Sequence, residues 1–127
     1  MEKKRLEAEA ALAATAEPEH EAEIGIDAFS RVELRSAEIL TCEPIPKAKK
    51  LLKLTVDLGY EKRQVVSGIA KYYKPEELVG KKVVIVTNLK PCKLCGVDSY
   101  GMILASGEED VKVIFLDPTT KNGERIH

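Results

Sequence analysis

Residues 52–58 read Leu-Lys-Leu-Thr-Val-Asp-Leu, and this alternating run decides the fold. Leu52, Leu54, Val56 and Leu58 occupy every second position, and the residues between them are polar or charged. Successive side chains of an extended strand point to opposite faces, so the run predicts a strand with one buried face. Gly59-Tyr60-Glu61 then predicts a turn, and residues 64–69 are expected to return as the partner of a hairpin.

The apolar residues upstream of this hairpin change phase within one strand. Val32 and Leu34 alternate, and Ala37 and Ile39 then alternate in the opposite phase. A change of this kind indicates a β-bulge, which lets a strand bend around a barrel. The segment Pro44-Ile45-Pro46 is expected to end this strand.

Downstream of the hairpin, the sequence predicts one helical turn and three further strands. Lys74–Gly80 places a proline at the start of the turn, two acids in it and a glycine at its end, as short helices do. Val83–Val86 is an uninterrupted apolar run, which is typical of a strand covered on both faces. Met102–Ser106 and the alternating residues of 111–115 predict the last two strands.

The order of three strands, a short helix and two strands predicts an all-β protein with the OB-fold, a five-stranded Greek-key β-barrel. Residues 111–127 form extra C-terminal strands, whose apolar side chains need a cover such as a second subunit. We predict that residues 25–127 form this domain. Residues 1–24 carry 3 basic and 7 acidic side chains, and they predict a helical or disordered acidic linker.

Basic side chains are concentrated in the middle of the chain. Residues 47–93 contain 12 basic and 4 acidic side chains, a net charge of +8, and such a field attracts polyanions. Segment 46–50 is expected to form the loop after the first strand, and Lys90 and Lys93 fall before the last barrel strand. These two loops would flank the sheet as basic walls of a groove, with Lys53 pointing outward between them. Because aromatic residues are scarce, we expect recognition of a folded RNA by its backbone and shape.

The sequence shows no group that is suited to catalysis. It has no Gly-x-x-x-x-Gly-Lys phosphate loop, and His20 and His127 both lie in terminal segments, so general acid–base chemistry is not expected. We predict no enzyme activity for this chain alone, no catalytic residue and no cofactor. Cys92 and Cys95 form a single Cys-x-x-Cys without the further ligands that zinc requires. No metal site is therefore predicted, although a redox or metal protein is kept as the least favoured alternative.

The sequence also predicts a cytoplasmic protein with no membrane partner. Its apolar runs are too short to span a bilayer, and the N-terminus lacks the apolar core of a signal peptide.

Six short motifs follow one another over about four-fifths of the chain. They are DAFSRVELR (27–35), PKAKKL (46–51), QVVSGI (64–69), PEELVG (75–80), NLKP (88–91) and GVDSYGM (96–102). In this order they closely resemble the tRNA-binding domain appended to bacterial methionyl-tRNA synthetases. That domain also occurs as a free-standing tRNA-binding protein and in the endothelial monocyte-activating polypeptide.

The resemblance implies an OB-fold homodimer that binds tRNA at the outside of its bend with little sequence reading. It places tRNA contacts on Asn88, Lys90, Ser99 and Met102. Supporting charge would come from Arg35 and from a lysine group, Lys49, Lys50 and Lys53, to which the basic wall adds Lys93. Structural roles remain open for some of these residues. Ser99 and Asn88 would then satisfy backbone groups in turns, Met102 would be core, and Arg35 would pair with Glu33 or Glu38.

The resemblance leaves the setting of this domain open. Residues 1–24 resemble the linker to a synthetase body, so a covalently linked synthetase catalytic domain is one expected partner. The alternatives are a free-standing dimeric tRNA-binding protein and a dimeric peptide-binding export chaperone. The chain departs from the family at Cys92 and Cys95, and at Tyr100, where glutamine is usual.

Overall fold

The computed structural model describes residues 19–127, and residues 1–18 of the predicted helical or disordered linker lie outside this range. Residues 19–25 are exposed and have no regular secondary structure. The elements that follow are α1 (Ile26–Ser30), β1 (Leu34–Ile45), β2 (Ala48–Asp57), β3 (Lys62–Ser67), α2 (Pro75–Leu78), β4 (Lys82–Val86), β5 (Cys92–Leu94), β6 (Val97–Ser99), β7 (Met102–Ile103), β8 (Ala105–Ser106), β9 (Lys112–Val113) and β10 (Arg125–Ile126).

The all-β prediction is confirmed, because six strands form one antiparallel sheet, with five in the order β3-β2-β1-β4-β7 and β10 paired with β1. The hairpin β2–β3, the helical turn α2 and strand β4 all fall where the sequence predicts them. Within residues 19–127 no strand ladder joins β3 to β7, so the barrel remains open at this seam. A backbone hydrogen bond from Tyr100 N to Gln64 O, 2.9 Å long, spans it.

The alternating apolar residues of β2 and of the position after it form the centre of the core. Leu52, Leu54, Val56 and Leu58 are all buried, as predicted. They pack in one cluster with side chains from β1, β3, β4 and α2, including Ile39, Val65, Leu78, Val83 and Ile85. Burial of this aliphatic surface is the main term that stabilises a fold that has no tryptophan.

Strand β1 bends as expected and ends at Ile45, within the segment Pro44-Ile45-Pro46 that is predicted to end it, although Pro44 itself still belongs to the strand. Its register against β2 shifts between Ile39 and Thr41 and again between Pro44 and Ile45. β1 pairs with β4 only as far as Glu38, so beyond that point it is an edge strand, where proline is tolerated. The prediction of a loop over residues 46–50 is wrong, because a two-residue turn at 46–47 joins β1 to β2. Lys49 and Lys50 belong to β2.

The connection between β4 and β7 contains a small hairpin that the sequence pattern did not predict. Strands β5 and β6 pair from Cys92↔Ser99 to Leu94↔Val97. Cys95 and Gly96, between them, have φ values of +49° and +81°. Positive φ at both central residues is the requirement of a tight two-residue hairpin turn.

The C-terminal segment covers one side of the sheet. β10 pairs with β1 through Leu34↔Ile126, and Phe115 forms an isolated bridge to Val83. Ser36 is fully buried beneath this segment. Its hydroxyl donates to Lys121 O at 2.6 Å and accepts from Glu124 N at 2.9 Å.

Candidate nucleic-acid interface

Asn88 follows β4 and fixes the chain just before β1. Its side-chain oxygen accepts from Glu33 N at 2.8 Å, and its amide nitrogen donates to Arg31 O. Both ends of the amide thus bond backbone groups, which is the structural role left open by the sequence. Asn88 is nevertheless exposed, so its role as an RNA contact stays a prediction.

Arg35 is held by neighbouring residues. Its Nε donates to Glu33 Oε2 at 2.9 Å, and one terminal nitrogen donates to Gly123 O at 2.7 Å. The guanidinium also lies 5.8 Å from the centre of the Tyr60 ring. This cation therefore ties β1 to the C-terminal segment, and its contribution to RNA binding also stays a prediction.

Glu33 is the acid at the centre of this cluster. Hydrogen bonds from the Thr87 hydroxyl, at 2.7 Å, and from Arg35 lower the pKa of Glu33 below its ordinary value of 4.5. A carboxyl group whose pKa is lower in the folded state stabilises the fold above its unfolded pKa and loses this contribution as the pH falls.

We therefore expect Glu33→Gln to lower the free energy of unfolding at neutral pH, and we expect this loss to shrink as the pH falls below 4.5, the ordinary pKa of the carboxyl group. Urea unfolding of both proteins across this range measures the difference. Glu108→Gln is the matched control, since Glu108 is exposed and pairs with no cation among residues 19–127. A Glu33→Gln loss that does not change with pH would contradict this assignment.

Ser99 closes the seam between β3 and β6. It is buried; its hydroxyl accepts from Val66 N at 3.0 Å and donates to Gly101 O at 3.0 Å. Ser99 therefore satisfies backbone groups, and direct contact with RNA stays a prediction for it.

The same bonds bring the two basic groups of the sequence towards one another. Tyr100 bonds Gln64 and Ser99 bonds Val66, so β6 lies along β3 with its first residues towards Ser67. Ser67 is paired with Leu52, and Lys53 with Val66. The β5–β6 hairpin that carries Lys93 therefore extends along β3 towards the start of β2, where Lys49 and Lys50 lie.

We call Lys49, Lys50, Lys53, Lys90 and Lys93 the basic face. Lys53 lies 3.5 Å from Glu43, and Lys93 lies 3.9 Å from Asp98. Lys49, Lys50 and Lys90 are exposed and form no ion pair within the described part of the chain. Exposed ammonium groups without a carboxylate partner are suited to phosphate binding.

Met102 is 46% exposed, so it is not a core residue. It pairs with Val86 at the end of β4, two residues before Asn88. Met102, Asn88 and Lys90 therefore share one corner of the sheet.

An open groove beside this corner contains residues that the sequence pattern did not single out. It has a volume of about 480 Å³ and lies between β3 and residues 87–91, with Arg63, Gln64 and Tyr100 among its lining residues. Arg63 donates to Glu61, to Thr87 O at 2.6 Å and to Tyr100 O at 3.2 Å. No sequence signal identified Arg63, because two of its three partners are backbone carbonyls distant in sequence.

The three cysteines are free thiols in the structure. Burial raises the pKa of the half-buried Cys42 thiol to about 11, and a thiol with so high a pKa is a poor nucleophile. Cys92 and Cys95 are exposed on the β5–β6 hairpin. Residues 19–127 contain no group of three or more His, Cys, Asp or Glu side chains placed to hold a metal ion.

No helix among the described residues has the length and apolar character to cross a membrane.

The sequence matches a family model over residues 34–125, and that family is described as "Putative tRNA binding domain". The chain is 63% identical over 91 residues to a methionine–tRNA ligase of Methanococcus aeolicus, a match that covers 72% of this chain and 14% of the ligase. It is also 63% identical over 106 residues to the methionine–tRNA ligase of Bacillus subtilis, covering 82% of this chain and 16% of that protein. The chain thus spans about a sixth of the length of these relatives.

Solved structures show the same fold. A protein of Pyrococcus horikoshii described as related to methionyl-tRNA synthetase superposes with a TM-score of 0.80 at 38% identity, covering 84% of this chain and all of that one. The chaperone CsaA of Bacillus anthracis superposes with a TM-score of 0.71 at 28% identity, again covering 84% of this chain and all of the other.

Proposed function

Since this chain belongs to the tRNA-binding domain family, we propose that it is a non-catalytic module that binds tRNA through the basic face. The observation that carries the proposal is the set of exposed lysines without acidic partners among residues 19–127, with Lys49 and Lys50 on β2 and Lys90 between β4 and β5. Phosphate contacts of this kind position an RNA without reading its sequence. Asn88 and Met102 would add contacts at the corner that they share with Lys90.

We further propose that the module is the C-terminal tRNA-binding domain of a methionyl-tRNA synthetase, with residues 1–24 as the linker to a catalytic domain. Its identity to methionine–tRNA ligases over most of its own length and a small part of theirs supports this proposal. In this setting the module increases the affinity of the synthetase for tRNA, because a tethered second contact acts at high local concentration. The module would work in the cytoplasm, where tRNA is charged.

Titration with tRNA at several salt concentrations tests the proposal. Phosphate contacts release counterions, so we expect affinity to fall steeply as salt rises. Lys90→Ala and Lys49→Ala should each weaken binding at every salt concentration and reduce the salt slope by about 1, while the thermal midpoint stays close to that of the wild type. The control is Lys112→Ala, because Lys112 lies on β9 and pairs with Asp110 at 2.6 Å. Undetectable or salt-insensitive binding would refute the function.

A second function, peptide binding as in an export chaperone, is favoured by the likeness to the chaperone CsaA. Exposed apolar side chains such as Leu89 and Met102 adjoin the basic face and could contact an unfolded polypeptide. A reduced, unfolded protein that competes with tRNA for this chain would support the chaperone function. Failure to compete at saturating concentration would leave tRNA as the ligand.

We also propose that the chain forms a homodimer through helix α1. None of the residues of α1 is buried, and the apolar residues Ile24, Ile26, Phe29 and Val32 are exposed in and around it. Arg125 of β10 donates to Ser30 O and Val32 O, which holds this apolar surface against the end of the sheet. A second copy would cover a surface that no described residue of the same chain covers.

A further inference from the structure

We propose that the groove beside β3 binds one unpaired nucleobase of the RNA, stacked on the ring of Tyr100. This inference rests on the proposed tRNA binding and adds a specific subsite to it. The volume of the groove, about 480 Å³, lies within the roughly 300–1,000 Å³ of small-molecule sites. Its occupant is a base and not a peptide side chain, because the groove adjoins the basic face, which would hold the flanking phosphates.

Tyr100 differs from the other three tyrosines of the chain in the contacts of its ring. Tyr60 lies beneath Arg35, Tyr72 lies beneath Lys71, and Tyr73 packs edge-on against Phe115. Tyr100 is 41% exposed and lines the groove. Its ring meets no aromatic or cationic side chain of residues 19–127. An aromatic ring presented in this way is the platform on which single-stranded nucleic acids stack their bases.

The backbone around Tyr100 is fixed before any ligand arrives. Tyr100 N donates to Gln64 O, and Tyr100 O accepts from Arg63. The next residue, Gly101, has φ +156°, and a Cβ there would approach Ile85 Cγ2 to 3.0 Å and Val86 O to 3.1 Å. A Cβ at these distances would require Ile85 and Val86 to shift by a few tenths of an ångström, so glycine lets the chain pack closely against β4 immediately after Tyr100. A fixed platform loses little conformational entropy when a base stacks on it.

The walls of the groove supply both apolar surface and polar groups. Leu89 and Pro91 give apolar contact, and Lys90 between them is exposed beside the groove. Gln64 uses its amide nitrogen to bond Asp98 O at 2.8 Å, and its amide oxygen has no partner among the described residues. That oxygen can accept a hydrogen bond from a ring N–H, such as that of uracil, or from an exocyclic amino group. The Glu61 carboxylate at the rim is paired with Arg63, so its repulsion of phosphate is reduced.

A tryptophan reporter at this position tests the inference, because the chain contains no other tryptophan. In Tyr100→Trp, we expect stacking to quench the tryptophan emission when tRNA or a short oligouridylate binds. A blunt RNA duplex, in which every base is paired, should bind the lysines and leave the emission unchanged. Phe115→Trp is the matched control, since Phe115 is also 41% exposed and lies against Lys81, away from the groove. Tyr100→Ala should weaken oligouridylate binding roughly tenfold and duplex binding very little.

Binding is followed independently by the anisotropy of labelled RNA. If Tyr100→Trp binds tRNA without a change in emission, or if the duplex quenches as strongly as the oligouridylate, the nucleobase subsite is wrong while tRNA binding stands. If the unaltered chain binds no tRNA, the subsite and the proposed function are both wrong. Quenching by tRNA and oligouridylate alone, absent in Phe115→Trp, would establish the subsite.

Discussion

Gly123→Ala is expected to lower the free energy of unfolding by roughly 3 kcal/mol, combining backbone strain with a steric clash. Gly123 has φ +86°, a conformation that alanine adopts only under strain, and an added Cβ would overlap the carbonyl oxygen of Leu58. The clash is with backbone at the β2–β3 turn, so no side-chain rotation relieves it. Gly123 also donates to Ser36 O at 2.8 Å and accepts from Arg35, so any shift of this residue disturbs two further bonds.

Gly80→Ala is the control that separates strain from the clash. Gly80 has φ +88°, nearly the same as Gly123, but no atom lies within 4 Å of a Cβ built there. Gly80→Ala should therefore lower the free energy of unfolding only by the backbone strain, about 1 kcal/mol. Urea unfolding of both variants measures the difference. Equal losses would mean that residues 121–124 do not pack on the β2–β3 turn as the structure shows.

The stability of Gly123→Ala also tests the C-terminal boundary of the domain, since we propose that the domain spans residues 25–127. Gly59 faces Asn122 O on the other side of the same contact, and Lys82 donates to Asn122 Oδ1 at 2.6 Å. The C-terminal segment thus contacts β1, β4 and the β2–β3 turn. A large loss in Gly123→Ala would show that these residues are part of the cooperative fold.

The parts of the fold that the sequence predicted are those in which burial follows a local period. Leu52 to Leu58 alternate because one face of β2 meets the core, and Val83–Val86 are all apolar because both faces of β4 are covered. Each pattern can be recognised within a few residues. Pro44 shows the limit of such reasoning: whether proline ends a strand depends on the presence of a neighbouring strand, and β1 loses its partner β4 after Glu38.

The candidate site was predicted less completely, because polar side chains reveal their partners only in three dimensions. Lys49, Lys50 and Lys90 are exposed, as expected for lysines without local acids, and their contact with RNA stays a prediction. It could not predict that Arg35 bonds Gly123, 88 residues away, or that Ser99 bonds Val66 across the seam of the barrel. Ser36 has no periodic signal at all, because its burial is caused by the returning C-terminal segment.

Phe29→Asp is expected to convert the proposed homodimer to monomer, with the dimer dissociation constant raised roughly 100-fold. Phe29 is 43% exposed and belongs to a helix that buries no residue of its own. A carboxylate placed in an apolar interface loses its hydration without gaining a partner, whereas in the free monomer it remains in water. The monomer should therefore keep its fold and its thermal midpoint. Sedimentation velocity over a range of protein concentrations measures the change.

Val79→Asp is the control, because Val79 is similarly exposed, at 47%, but follows α2 and lies outside the α1 surface. It should leave the dimer intact. The proposed dimer also has a consequence for the proposed RNA binding, since two copies would bring two basic faces to one tRNA and the second contact would form at high local concentration. Phe29→Asp should therefore weaken tRNA binding although Phe29 is not in the basic face, and the salt slope should fall because fewer phosphates are contacted. If the wild-type chain sediments as a monomer, the proposed homodimer is wrong. If the Phe29→Asp variant remains dimeric, the interface lies elsewhere.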